Sequence, residues 1–212
     1  MKKRNLILTI LFLVSSIIFI VLLKTIDIKC TALINSCIGF ATINQFIYNK
    51  IEVNLTWYTI TDWLGIIPIL MSMVYTIVGF KQMIKRKSIK KVDKEIIILG
   101  IFYIIVISTY VIFEKYIINY RPIFMNGFLE ASFPSSHTLM TICLCGSSII
   151  INNKLFKNNF TKILNIISLI IIFITIIGRL ISGVHWFTDI IGGILISSYL
   201  LMLFYSFLNL NK

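Results

Sequence analysis

The chain has 212 residues, of which 58% are hydrophobic and 13% charged, with a mean hydropathy of +0.95. A soluble domain averages about a quarter charged residues, so the composition excludes a water-soluble globule and equally a disordered or nucleic-acid-binding tail. Twenty Lys and Arg against eight Asp and Glu give a formal charge of +12, and the positions of those charges decide what the excess means.

A hydrocarbon core about 30 Å thick is crossed by about 20 apolar residues in a helix, and six stretches meet or approach that length. The first, Leu6–Leu23, follows Lys2, Lys3 and Arg4. It is longer than the apolar part of a signal peptide and no small-residue cleavage site follows, so it reads as a span. The connection Lys24–Asp62 holds Cys30 and Cys37, for which a disulfide and a free pair are equally compatible. Within it, Ile43–Ile60 mixes Phe46, Tyr48, Trp57 and Tyr58 with polar residues, which fits an interfacial helix or an ordinary external loop.

Leu64–Phe80 is the second span, and the segment Lys81–Glu95 behind it is strongly basic. The remaining spans are Ile96–Phe113, Pro134–Ile151, Ile163–Leu180 and Ile190–Leu208. Cys143 and Cys145, two apart in the fourth span, fall on different faces and read as small packing residues. Gly192, Gly193, Ser197 and Ser198 read as a small-residue packing surface of the sixth.

Lys and Arg in short loops mark the cytoplasmic side. Fourteen of the twenty, with only two acids, lie at the N-terminus, in Lys81–Glu95, at Lys154, Lys157 and Lys162, and at Lys212. Six spans place all four segments on one side with both termini. The other six basic residues balance six acids outside, so the +12 is a topology signal and calls for no nucleic-acid partner. The expected fold is therefore all-α, an integral plasma-membrane bundle of six transmembrane helices forming one domain over residues 1–212. Both termini would be cytoplasmic, with an external loop or interfacial helix between spans one and two.

Three polar clusters then face one external boundary: Glu114–Pro122, Ser132–Thr138 and Gly178–Asp189. Ionisable residues at such depth are costly and mark function. Arg121 and Arg179 offer planar donor forks for phosphate or carboxylate oxygens. With Pro134 as the first residue of span four, Ser135, Ser136 and His137 occupy its first turn, whose unbonded amides and helix dipole form an anion seat. His185 and Asp189, four apart on the first turn of span six, share a face. There the carboxylate accepts Nδ1–H and leaves Nε2 as nucleophile or base. Gly183 gives the backbone freedom to turn into that helix, and His137 supplies a second imidazole to protonate a leaving oxygen. Glu130 reads as a solvated loop residue. The set suits phosphoryl transfer through a phosphohistidine, with no metal required.

These residues resemble the type-2 phosphatidic-acid phosphatase superfamily, whose motifs are Lys-x6-Arg-Pro, Pro-Ser-Gly-His and Ser-Arg-x5-His-x3-Asp. Arg121-Pro122 resembles the end of the first, Pro134-Ser135-Ser136-His137 the second, and Arg179, His185 and Asp189 the third. The resemblance implies that His185 is the nucleophile, Asp189 its orienting partner and His137 the acid, while Arg121, Ser135, Ser136 and Arg179 hold the phosphate. It also implies no cofactor or obligatory metal, membrane lipid as surroundings, an outward-facing site reached laterally from lipid, and a lipid phosphate or pyrophosphate as substrate. Undecaprenyl pyrophosphate, phosphatidylglycerol phosphate and phosphatidic acid are the substrates it suggests.

Three positions depart from the motifs. Ser136 replaces Gly, Gly178 replaces Ser, and Glu114 stands where counting places Lys, putting negative charge where the motif has positive. Glu114 and Gly178 leave open a non-catalytic lipid-phosphate binder. A small transporter would predict inverted repeats, which the sequence does not show.

Overall fold

The computed structural model describes residues 3–31, 36–125, 127–156 and 158–210. The helices run α1 (Lys3–Leu23), α2 (Ala41–Lys50), α3 (Leu55–Leu64), α4 (Ile66–Arg86), α5 (Lys94–Lys115), α6 (Ser136–Ile151), α7 (Asn159–Ile181) and α8 (Phe187–Leu208). Two short strands, β1 (Lys29–Thr31) and β2 (Ser36–Ile38), pair antiparallel between α1 and α2. Among the described residues six helical segments are long and apolar enough to cross a membrane, with α3 and α4 counted together as Leu55–Arg86 and α6 extended to Phe156.

The Ile and Val of these segments are mediocre helix formers in water, but hydrocarbon offers backbone groups no partner, so a spanning segment must bond within itself. Burial accordingly runs opposite to that of a soluble protein. In α1 the buried residues are Asn5, Thr9, Ser16 and Leu23, while Leu6, Ile7, Leu11 and Ile17 are exposed as lipid-facing side chains. Thr9 Oγ1 meets Ser206 Oγ of α8 at 3.2 Å, a polar contact between spans. The interior centres on α6 and α8, with the Phe102 ring of α5 stacked on Phe204 at 4.7 Å. Near the far end Tyr75 Oη donates to Asn152 at 2.8 Å and joins α4 to α6.

Three expectations change and two that were open are decided. The second span begins well before Leu64, because Gly65 keeps right-handed helical angles (φ −62°, ψ −18°) and lets α3 run into α4. The stretch Ile43–Ile60 is accordingly mostly helix, shared between α2 and α3, rather than a plain loop. Pro134 lies two residues before α6, which starts at Ser136 with Ser135 in the N-cap position. His185 likewise precedes α8, whose N-cap is Trp186. Cys30 and Cys37 lie opposite each other on the paired strands and form a disulfide.

Chain direction alternates along the bundle, so the C-terminal ends of α5 and α7 meet the N-terminal ends of α6 and α8. The link from α5 to α6 folds back on itself there, with Arg121 N donating to Glu130 O at 3.0 Å and Ser132 N to Asn119 O at 2.9 Å. Gly192 and Gly193 of α8 face the Phe133 ring and Thr138, where a side chain on α8 would overlap them. The start of α6 therefore lies tight against α8.

Candidate active site

The position of His185 is set from both sides of the chain. Gly183 turns the backbone with φ +68°, a conformation that favours glycine. In the first turn of α8, Asn44 of α2 takes the Thr188 amide at 3.1 Å and donates to the Thr188 hydroxyl at 2.9 Å. Trp186 Nε1 donates to Tyr120 O at 2.8 Å, tying the same turn to the α5–α6 link.

His185 Nδ1 lies 3.2 Å from Ser132 O and 3.7 Å from Asp189 Oδ2. A carbonyl can only accept, so Nδ1 carries the proton and Nε2 holds a lone pair. Nε2 is buried and without a hydrogen-bond partner. Asp189 is fully buried and committed elsewhere as well, accepting from Trp186 N at 2.9 Å and Asn119 Nδ2 at 3.4 Å. The carboxylate thus stands beside the imidazole at ion-pair distance, and the shorter bond is to the Ser132 carbonyl. Burial pushes the His185 imidazole below its ordinary value of 6.5, with Asp189 opposing and the Arg121 and Arg179 charges reinforcing the shift.

Arg121 is nine-tenths buried, with Nε 3.2 Å from Glu130 Oε2 but unaligned for a hydrogen bond, and neither Nε nor Nη1 has a hydrogen-bond partner. Glu130 is a loop residue with a solvent-exposed side chain, as expected, and it also lines the site. Ser135 donates its amide to Asp189 O at 3.0 Å, and its hydroxyl accepts from Thr138 Oγ1 at 3.1 Å. Its amide is occupied, and the anion seat falls to the next residues. The first backbone bond of α6 runs from Leu139 N to Ser135 O, so the amides of Ser136 and His137 precede the helical ladder.

Arg121, Ser136, His137 and His185 line one polar cavity of about 270 Å³, together with Glu114, Glu130 and Tyr110. A second, apolar cavity of about 240 Å³ lies between α4, α5 and α6 and is lined by Ile66, Pro68, Ile69, Met140 and Leu144 among others. Tyr110, Ser136 and His137 belong to both walls. Glu114 faces this site and Lys115 is exposed.

Arg179 and Asp189 do not line the polar cavity, although both are completely buried. Two residues that the sequence reading left outside the site hold Arg179. Its Nη2 is ion-paired with Asp62 Oδ1, and its guanidinium lies 4.8 Å over the Tyr58 ring. Arg121 is 5.9 Å from the same ring. Tyr58 and Asp62 both come from α3 and are four apart, an i, i+4 pair that a helical reading of the stretch would have placed on one face. Asn119, inside the first polar cluster, was likewise passed over.

The sequence pattern described as the PAP2 superfamily matches residues 69–212. No curated protein sequence matches the chain. Among solved structures, the chain is similar to the one described as the first transmembrane PAP2 type phosphatidylglycerolphosphate phosphatase from Bacillus subtilis. The TM-score is 0.67 at 18% identity, over 97% of this chain and 98% of that one.

Proposed function

Because the chain belongs to the PAP2 superfamily, we propose that it is a membrane lipid phosphatase. It removes phosphate from a phosphomonoester or pyrophosphate lipid at the external leaflet, through a phosphohistidine. The observation that carries this reading is the shared wall of the two cavities. A polar chamber holding His185 and Arg121 adjoins an apolar one across His137, which suits a phosphate in the first, an acyl or isoprenyl chain in the second, and the scissile oxygen between them.

Nε2 of His185 attacks phosphorus, and the bond to the leaving oxygen breaks as His137 passes that oxygen a proton. Arg121 and the Ser136 amide take the equatorial oxygens, with Nε and Nη1 of Arg179 behind them. Water then attacks the phosphohistidine. Its proton goes to His137, the P–N bond breaks, and the electron pair returns to Nε2.

Phosphate release from isoprenyl and glycerophospholipid phosphates by purified protein and by His185→Ala tests this. Release by the wild type that falls at least about 10³-fold in the variant is expected. Equal rates in the two would sink it. Lipid binding without release would favour a non-catalytic binder, a reading to which Glu130 and Asp62 on the two arginines lend weight.

A further inference from the structure

Each of the two histidines has one ring nitrogen beside a carboxylate and the other buried without a partner. For His185 these are Nδ1, near Asp189, and Nε2. For His137 the order is reversed: Nε2 lies 3.1 Å from Asp62 Oδ1, and Nδ1 is the buried, unpartnered atom. Asp62 lies in α3, ahead of the residues 69–212 that match the family and outside all three motif regions.

The packing explains how Asp62 arrives. A Cβ placed on Gly178 would stand 2.5 Å from Thr61 Cγ2 and 3.2 Å from the Trp57 ring. Gly178 is the position where the resembled motif has Ser. Without a side chain there α3 lies directly against α7, and the next residue after Thr61 reaches Arg179 and His137. On the opposite flank, Gly65 brings the α3–α4 junction to the edge of the His137 ring, where a Cβ would be 3.2 Å from Cδ2.

We propose that Asp62 is the positioning residue of the proton donor, holding His137 by Nε2 so that Nδ1 is the atom that meets the leaving oxygen. This rests on the phosphatase reading above. An imidazolium beside Arg121 and Arg179 needs an opposing charge, and the carboxylate supplies it. As the P–O bond breaks, the Nδ1 proton passes to the leaving oxygen to give the alcohol, and His137 is left as the Nε2–H tautomer. The Nε2 contact with Asp62 survives that change, which leaves Nδ1 unprotonated to accept a proton from the attacking water in the second step.

The test compares an alkyl phosphate, whose leaving oxygen needs a proton, with an aryl phosphate such as p-nitrophenyl phosphate, whose leaving oxygen does not. General acid catalysis contributes about 10²- to 10⁴-fold. Asp62→Asn is expected to lower kcat on the alkyl ester about 10- to 100-fold more than on the aryl ester, whose own smaller loss reports the Arg179 contact. Equal losses on both, or none, overturn the assignment. Imidazole ¹⁵N spectra resolve just two histidines and give a second readout independent of turnover. Asp62→Ala is expected to shift the His137 Nε2 resonance while leaving His185 in place, and an unchanged His137 spectrum overturns the assignment too. Should the wild type release phosphate from neither ester, the phosphatase reading fails while the spectra still decide the Asp62–His137 pair.

Discussion

Ser132 O accepts the Nδ1–H of His185 at 3.2 Å, closer than the Asp189 carboxylate at 3.7 Å. Where a carboxylate alone fixes the tautomer of a nucleophilic pair, replacing it by the amide costs about 10⁴-fold because the wrong nitrogen is protonated. Here the carbonyl fixes the tautomer independently. Asp189→Asn is therefore expected to lower kcat by only about 10- to 100-fold, the loss of charge stabilisation alone, with the His185 ¹⁵N spectrum still showing Nδ1–H. A fall as large as that of His185→Ala would mean that Asp189 carries the tautomer after all.

Returning the motif residue at 178 is expected to harm the protein. Gly178→Ser places a Cβ against Thr61 and the Trp57 ring, and overpacking of this kind costs about 1–3 kcal/mol. Thermal unfolding in detergent should show the lower midpoint, and turnover should fall with it as α3 moves off α7. A variant that is faster and no less stable would show that α3 is dispensable to the site.

Stability should depend on pH through His185. Burial holds its folded pKa below the ordinary 6.5, so the unfolded chain takes up the proton first as pH falls. The contribution is complete above the unfolded value and is lost below about 6.5. The thermal midpoint of the wild type should drop between about pH 7 and pH 5 more steeply than that of His185→Asn, whose amide does not titrate. Parallel curves would remove His185 as the cause.

Orientation can be read by labelling. Cys30 and Cys37 are joined, and Cys143 and Cys145 are buried. Cysteines introduced at the exposed positions Lys87 and Tyr116 therefore report alone with an impermeant maleimide. Tyr116→Cys is expected to label in intact cells and Lys87→Cys only after permeabilisation. The opposite pattern would turn the site inward.

The six spans were legible because lipid exposure makes nearly every position of a helix apolar, a signal that needs no partner. The arginine, histidine and aspartate spacings were legible because they are local. Tyr58 and Asp62 were not, since their meaning depends on Arg179, more than a hundred residues away, and their stretch looks like an aromatic headgroup segment. The helix starts slipped for a simpler reason. Hydropathy marks where a span is apolar, whereas Ser135 and Trp186 end their turns through backbone hydrogen bonds that hydropathy does not register. The nearness of Glu130 to Arg121 was not legible because it arises only when the α5–α6 link folds back.

The bare Cα at Gly178 has a consequence for the protein's relatives. A side chain at 178 would press α3 away from α7 and draw the carboxylate at 62 off Arg179, so the two characters are expected to be inherited together. Among homologues that share α3, those with serine at the equivalent of 178 should lack an acid at the equivalent of 62. Those with glycine should retain the acid. A sequence alignment alone can therefore reveal this coupling.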